Sequence, residues 1–267
     1  MPPPYPLDMR LLFFILLPLL VLTACKRTDS NTLRVGMELT YPPFETQTPS
    51  GEPDGISVKL AEALAADLKR PLKIVPMEFS GLIPALKSGS IDLVISSMTA
   101  TDERRQSINF SEPYAFTGLA LLVGRDSGVQ SIEDLKSPGK RLAVKSSTTS
   151  EAWIRKNLPE AKLTAFPDDA ACVMEVAQGR ADGFIYDQLS ILRYQRKNPD
   201  TTRALLKPFT EESWAVGISK RNVQLLQQTN DFLSRFRAEG GLDKLSDQYL
   251  KEEKAALAEQ GIAPPLR

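Results

Sequence analysis

From Leu33 onward, apolar and polar positions follow two alternating periods. LRVGM (33–37), LKIVP (72–76) and IDLVIS (91–96) are apolar runs of strand length, and the last is apolar enough to be buried on both faces. Between them, ISVKLAEALAADLK (56–69) places Leu60, Leu64 and Leu68 one turn apart, which predicts an amphipathic helix with Ser57 as its N-cap. SGLIPALKSG (80–89) predicts a shorter helix, capped by Ser80 and stopped by Gly89. This strand–helix alternation implies a parallel sheet covered by helices. A second round comes next. RLAVKS (141–146), LTAF (163–166) and ADGFIYD (181–187) read as strands. One helix runs from Thr149 to Leu158, and another occupies DDAACVMEVAQG, with Asp168 as cap and Gly179 as stop. SWAVGISK (213–220) is a further strand, trailed by helices at 222–238 and 241–252, with Gly240-Gly241 between them. Leu225, Thr229, Phe232 and Phe236 share one face of the first. These last elements are too few for a domain of their own and are expected to return to an earlier one. The expected architecture is α/β, with one lobe from 33–113 plus 214–252 and a second from 119–208. Crossings at 114–118 and 209–213 form a hinge, and the tail at 253–267, which carries Pro-Pro, is expected to fray.

Two stretches break the pattern. SSMTATDERRQSINFSEPY (96–114) has neither period and reads as a loop whose purpose is to place an arginine. At the other end, MRLLFFILLPLLVLTAC from Met9 has one arginine and then an apolar run from Leu11 to Leu22. The run is shorter than the roughly 20 residues a membrane span needs. It has the layout of a secretory signal over residues 1–24, with Met9 as an alternative start to Met1. Leu22-Thr23-Ala24-Cys25 resembles the lipobox of bacterial lipoproteins, which implies cleavage before Cys25 and a lipid on its sulfur. Residues 25–32 would then be a short polar tether. With Cys25 acylated, Cys172 has no partner for an internal disulfide and reads as a small core residue.

Composition narrows the chemistry. Among 267 residues, 33 are Lys or Arg and 33 are Asp or Glu, so no field of one sign recommends nucleic acid as a partner. Histidine is absent, which excludes Ser-His-Asp and Cys-His catalysis and removes the commonest metal ligand. No cofactor or metal site is expected.

In open α/β sheets, ligands sit beyond the carboxyl ends of the strands. In this chain those ends carry Glu38, Tyr41-Pro42-Pro43-Phe44, Phe79-Ser80-Gly81, Ser96-Ser97-Met98-Thr99 and Asp102-Glu103-Arg104 in the first lobe. The second lobe contributes Lys145 to Thr149 and Tyr186-Asp187. YPPF, MEFSGLIPALKSGSIDLVISSMTATDERRQSINFSEPY, AVKSSTTSE and ADGFIYD together resemble the polar amino-acid-binding proteins of bacterial ABC importers, bacterial extracellular solute-binding protein family 3, over about residues 33 to 250. The resemblance implies a type II periplasmic binding protein fold. It implies that Arg104 grips a ligand α-carboxylate, for which a guanidinium offers two parallel hydrogen bonds that a lysine cannot. It further implies that Ser97 and Thr99 hold the ligand's charged ends, that Thr149 donates its N–H, and that Asp187 binds the ammonium. Tyr41 and Phe79 would be aromatic walls, and Phe44 core. One departure is that GISVKL lacks two acids frequent in the family, at positions now held by Ser57 and Lys59.

Glu38, Lys145 and Tyr186 would then line the side-chain pocket. Glu38 accepts and Lys145 donates, so a neutral amide suits both and glutamine is the first expectation, unless the two residues pair with each other. The resemblance also implies a membrane permease as partner, a monomer, and an exported location in the periplasm or at the cell surface, held to a membrane by the lipid on Cys25. The alternative is a dehydratase-like enzyme on the same fold, with Glu38 or Lys145 as acid or base. A sensor ectodomain would need a following membrane span and signalling domain.

Overall fold

The computed structural model of the chain describes Met1 and residues 31–266. The expected signal, Cys25 and most of the tether lie outside the described residues. Among the described residues no helix is long and apolar enough to cross a membrane.

Strand β1 (Leu33–Met37) leads through a small hairpin, β2 (Thr46–Gln47) and β3 (Pro53–Asp54), into helix α1 (Ile56–Asp67). Strand β4 (Leu72–Pro76), helix α2 (Phe79–Ser88) and strand β5 (Leu93–Val94) come next. Helix α3 (Asp102–Ser107) and strand β6 (Asn109–Thr117) complete the first stretch of chain. Strand β7 (Leu119–Gly124) opens the second stretch, with a 3-10 turn at Ile132–Leu135, strand β8 (Arg141–Lys145), helix α4 (Thr149–Asn157) and strand β9 (Lys162–Phe166) after it. Helix α5 (Asp169–Ala177), strand β10 (Gly183–Asp187), helix α6 (Gln188–Lys197) and strand β11 (Thr202–Leu205) end that part. Strand β12 (Glu212–Ile218) and helices α7 (Val223–Ala238), α8 (Gly241–Tyr249) and α9 (Lys251–Ala258) close the chain.

The strands form two five-stranded sheets, ordered β4-β1-β5-β12-β6 and β11-β7-β10-β8-β9. In the first, β1 lies parallel to β4 and β5, and β12 runs antiparallel to β5 and β6. The second repeats the plan, with β8 parallel to β9 and β10 and with β7 antiparallel to β10 and β11. The late strand β12 therefore returns to the first sheet. Each sheet is apolar on both faces, as helix-covered sheets require. In the first, Leu33, Val35 and Met37 pack with Leu60 and Leu64 of α1, while Leu82, Leu86 and Ile91 pack with Val94 on the opposite side. Cys172 is fully buried in the core of the second, and burial raises its thiol pKa, so it is an inert packing residue.

Several local expectations are corrected. Helix α1 has Gly55 at its N-cap and no side-chain cap; Ser57 lies inside the first turn, buried, and its hydroxyl donates to Glu45 Oε2 at 2.5 Å. Helix α2 starts at Phe79 with Glu78 as N-cap, so Ser80 caps nothing, whereas Gly89 does end the helix, at φ 80°. The expected third strand shrinks to Leu93–Val94, because the chain turns toward the cleft soon after. The stretch expected to be a loop contains α3 and most of β6; Pro113 is tolerated in β6 because that strand is at the sheet edge. The tail is not frayed. Helix α9 occupies Lys251–Ala258, Leu266 is 2% exposed, and Phe116 N donates to Pro265 O at 2.7 Å, which docks the tail on β6.

The two sheets are linked where β6 passes into β7 at Gly118 and where residues 206–211 lead from β11 to β12. These crossings touch. Leu119 N donates to Thr210 Oγ1 at 2.8 Å and Phe209 N to Leu119 O at 3.0 Å. A Cβ on Gly118 would lie 2.2 Å from Thr210 O, so only glycine fits there.

Candidate functional site

Strands β1, β5, β8 and β10 end on a shared cleft between the two sheets, and the segment after each strand faces it. Helix α3 explains the TDER run. The Thr101 hydroxyl caps the helix by accepting from Arg104 N at 3.2 Å, and Asp102 and Glu103 sit in the first turn, where acids are favoured. This short helix fixes the backbone of Arg104. Its guanidinium donates to Thr99 O at 2.9 Å on its own side and to Ser147 O at 3.0 Å across the cleft, and it lies 5.4 Å from the Phe79 ring centroid. Burial lowers the Arg104 pKa, an effect opposed chiefly by the charge of Glu212.

The cavity at the centre has a volume of about 40 Å³. It is lined by Glu38, Tyr41, Phe79, Ser97, Thr99, Arg104, Thr149, Tyr186 and Asp187. Of the ten residues expected at the site, Lys145 alone does not reach this wall. It stands behind Glu38, 1% exposed, and its Nζ donates to Glu38 Oε2 at 2.5 Å. The pair joins the end of β1 to the end of β8, so it spans the two halves. Removing one partner of such a buried pair costs about 3–5 kcal/mol, because the other charge is left uncompensated.

Two residues adopt left-handed backbone at the cleft, Ser97 at φ 47° and Ser147 at φ 64°. Such strain costs of order 1–3 kcal/mol for a non-glycine residue and gathers where a ligand is held. Thr149 is the first residue of α4, after the Thr148 cap, so the helix start, where backbone N–H groups lack helical partners, forms part of the cavity wall. Asp187 caps α6 by accepting from Ser190 N at 3.0 Å and lines the cavity as well. Burial raises its pKa, while the nearby Tyr41 hydroxyl and Ser190 favour its charged form. Tyr41 and Tyr186 meet edge-on across the cleft, with centroids 6.1 Å apart. Phe44 is fully buried beneath them, as expected for core.

Two carboxylates escaped the sequence reading. Glu45, directly after YPPF, is 1% exposed and accepts from Ser57, Ser97 (3.2 Å) and Ser96 (3.5 Å). Burial pushes its pKa up to about 8, so it holds a proton at neutral pH. Its place next to an aromatic loop motif was the available signal. Glu212 begins β12 and accepts from Thr99 Oγ1 at 2.9 Å. Burial raises its pKa, while the Thr149 and Thr99 hydroxyls and Arg104 oppose the shift. Nothing in TEES distinguishes it from exposed Glu211; strand pairing alone turns it inward. Among the described residues there is no group of side chains able to hold a metal ion.

The profile of the bacterial extracellular solute-binding proteins, family 3, matches residues 33–252. The chain belongs to that family. This solute-binding protein is 32% identical over 226 residues to the L-cystine-binding protein TcyJ of Escherichia coli (strain K12), covering 84% of each chain. It is 29% identical over 233 residues to the ABC transporter glutamine-binding protein GlnH of Bacillus subtilis (strain 168), covering 85% of this chain and 84% of the relative. An ancestral arginine-binding protein bound to glutamine superposes with TM-score 0.77 at 35% identity, over 83% of this chain and 99% of that one. The ancestral amino acid-binding protein AncCDT-1, a precursor of cyclohexadienyl dehydratase, gives TM-score 0.76 at 35% identity, over 82% of this chain and 96% of that one. The fold is the type II periplasmic binding protein fold, and the homologues are amino-acid-binding, extracytoplasmic components of ABC transporters.

Proposed function

We propose that this solute-binding protein captures a polar L-amino acid in the cleft by closure of two lobes and delivers it to a membrane permease. The observation that carries the reading is Arg104, which faces the cleft and reaches backbone carbonyls of both halves at 2.9 and 3.0 Å. Its guanidinium takes the ligand α-carboxylate, assisted by Thr99 and by the N–H of Thr149. Asp187 takes the ammonium together with Ser97, and Tyr41 and Phe79 form the apolar walls. The lobes are 33–113 with 214–252, and 119–208; they turn about the crossings at Gly118 and 206–211. Closure excludes water and strengthens every charged contact inside.

The relatives carry the names of cystine, glutamine and arginine, so the family alone selects no ligand. The expectation of glutamine rests on Glu38 and Lys145 acting as separate partners for one amide, with Tyr186 beside them. Their direct pairing removes that independence. A scavenger of this kind works at about micromolar affinity, about −8 kcal/mol. The signal at 1–24 and the lipid on Cys25 would hold the exported, monomeric domain to a membrane near its permease.

Calorimetry of the soluble domain against a panel of L-amino acids tests this. Each charge-assisted bond contributes about 1.5–3 kcal/mol net, so Arg104→Ala should weaken every amino acid about 100-fold or more. Retained affinity in that variant would refute the assignment. Ligand recovered chemically unchanged after denaturation marks a binder; an altered ligand would mark the dehydratase-like alternative.

A further inference from the structure

Glu45 is a buried acid in the cavity wall to which the ligand contacts above assign no part. Its main chain and its side chain hold two different pieces of that wall. The main chain pairs with Tyr41 in both directions: Tyr41 N donates to Glu45 O at 2.8 Å, and Glu45 N donates to Tyr41 O at 3.0 Å. These bonds close the YPPF turn, which carries the Tyr41 ring. The side chain reaches the turn after β5. Ser97 Oγ donates to Glu45 Oε2 at 3.2 Å, and Ser97 has φ 47°, a backbone state that a non-glycine residue keeps only with support from its surroundings. The other oxygen, Oε1, lies 3.5 Å from Ser96 Oγ, which accepts from Glu38 N at 2.9 Å.

The carboxyl group is itself held from behind. Ser57, fully buried in the first turn of α1, does not line the cavity and donates to Glu45 Oε2 at 2.5 Å. It is one of the two positions where this chain lacks an acid frequent in the family. An acid there would set a like charge against Glu45, whereas the serine hydroxyl supplies a donor.

Resting on the reading that Ser97 meets the ligand ammonium, we propose that Glu45 is a positioning residue for that contact: anchored by Ser57, it fixes the turn at Ser96 and Ser97 and so sets how strongly the site demands an α-ammonium group. The ligand touches Ser97, and Glu45 acts through it. The demand is therefore set in part by a serine outside the cavity.

Calorimetry with L-glutamine, L-arginine and L-cystine, each beside the same compound lacking its α-ammonium groups, tests this, with a melting temperature for every variant. The ratio of the two affinities measures the demand for the ammonium. Glu45→Leu removes the acceptor and should lower that ratio about ten-fold, the loss expected when a hydrogen bond to a charged group is misplaced. Glu45→Gln, which keeps an acceptor oxygen and matches the protonated acid in size, should restore most of it. Ser57→Ala should lower the ratio in the same direction, although it alters no atom of the cavity wall. An unchanged ratio in Ser57→Ala would overturn the proposal whether or not Glu45→Leu folds, and would make Glu45 a direct ligand contact or plain packing. Equal weakening of both members of a pair by Glu45→Leu would also overturn it and leave the amino-acid reading intact. If none of these amino acids binds the wild type, the underlying reading and this proposal fall together.

Discussion

Arg104 illustrates how much one side chain owes to its local sequence. The Thr101 cap and the acids at 102 and 103 build the short helix that aims it, and all three are written in TDER. Glu45 is the opposite case, since its environment comes from Ser57, Ser96 and Ser97, which lie 12, 51 and 52 positions away. That environment has a measurable consequence. Folding raises the Glu45 pKa from 4.5 to about 8 because burial disfavours its charge. The folded protein keeps the proton up to about pH 8, whereas the unfolded chain releases it above 4.5. The native state therefore binds more protons across this window, and its stability falls as pH rises through it, by at most about 1.4 kcal/mol per pH unit. Asp187 and Glu212 are shifted in the same direction by burial and add to the slope. Melting temperatures measured from about pH 5 to 8 should decline, and Glu45→Gln should flatten much of that decline. A variant as pH-sensitive as the wild type would show that Glu45 is ionised when folded.

At the scale of elements, hydrophobic period located β1, β4, β8, β9, α1 and α4 close to their ends. It failed at two caps, Ser57 and Ser80, and at edges, while Asp168 caps α5 as expected. Ser57 has the chemistry of a cap, but Glu45 claims its hydroxyl, and a pattern along the helix cannot contain that competitor. Strands β6, β7 and β11 were not read from the sequence; β6 pairs with β12, and β7 with β10 and β11. The tail looked frayed because Pro-Pro cannot continue a helix, yet Pro265 supplies a carbonyl and Leu266 an apolar side chain to β6. Gly118 is the element-scale position most sensitive to change. A methyl group there would meet Thr210 O at 2.2 Å and Pro208 Cβ at 2.7 Å, where one crossing lies against the other. Gly118→Ala should destabilise the protein by about 1–3 kcal/mol through overpacking, seen as a midpoint shift in urea unfolding. An unchanged midpoint would mean that the crossings separate easily.

In the whole molecule, two sheets of the same plan face each other across three contacts: Arg104 to Ser147 O, Lys145 to Glu38, and the ring of Tyr41 against that of Tyr186. If the halves close on ligand, small-angle scattering should show the radius of gyration falling when a bound amino acid is added. The Arg104→Ala variant should show no such fall; a wild-type radius insensitive to a tightly bound ligand would exclude lobe closure. By itself the sequence determined the alternation of strands and helices, the absence of histidine chemistry, and the residues at the strand ends, because periodicity, composition and turn chemistry are local properties. Nine of the ten residues that the family resemblance put forward line the cavity, close to strand ends that share one side of a parallel sheet. Tertiary structure alone decided that Lys145 answers Glu38, that Glu45 is buried, that Glu212 lines the cavity beside Thr99, and that the last residues dock on β6. Each of these depends on which distant segments become neighbours and how much water is left between them, and a burial-driven pKa or an ion pair has no existence until that happens.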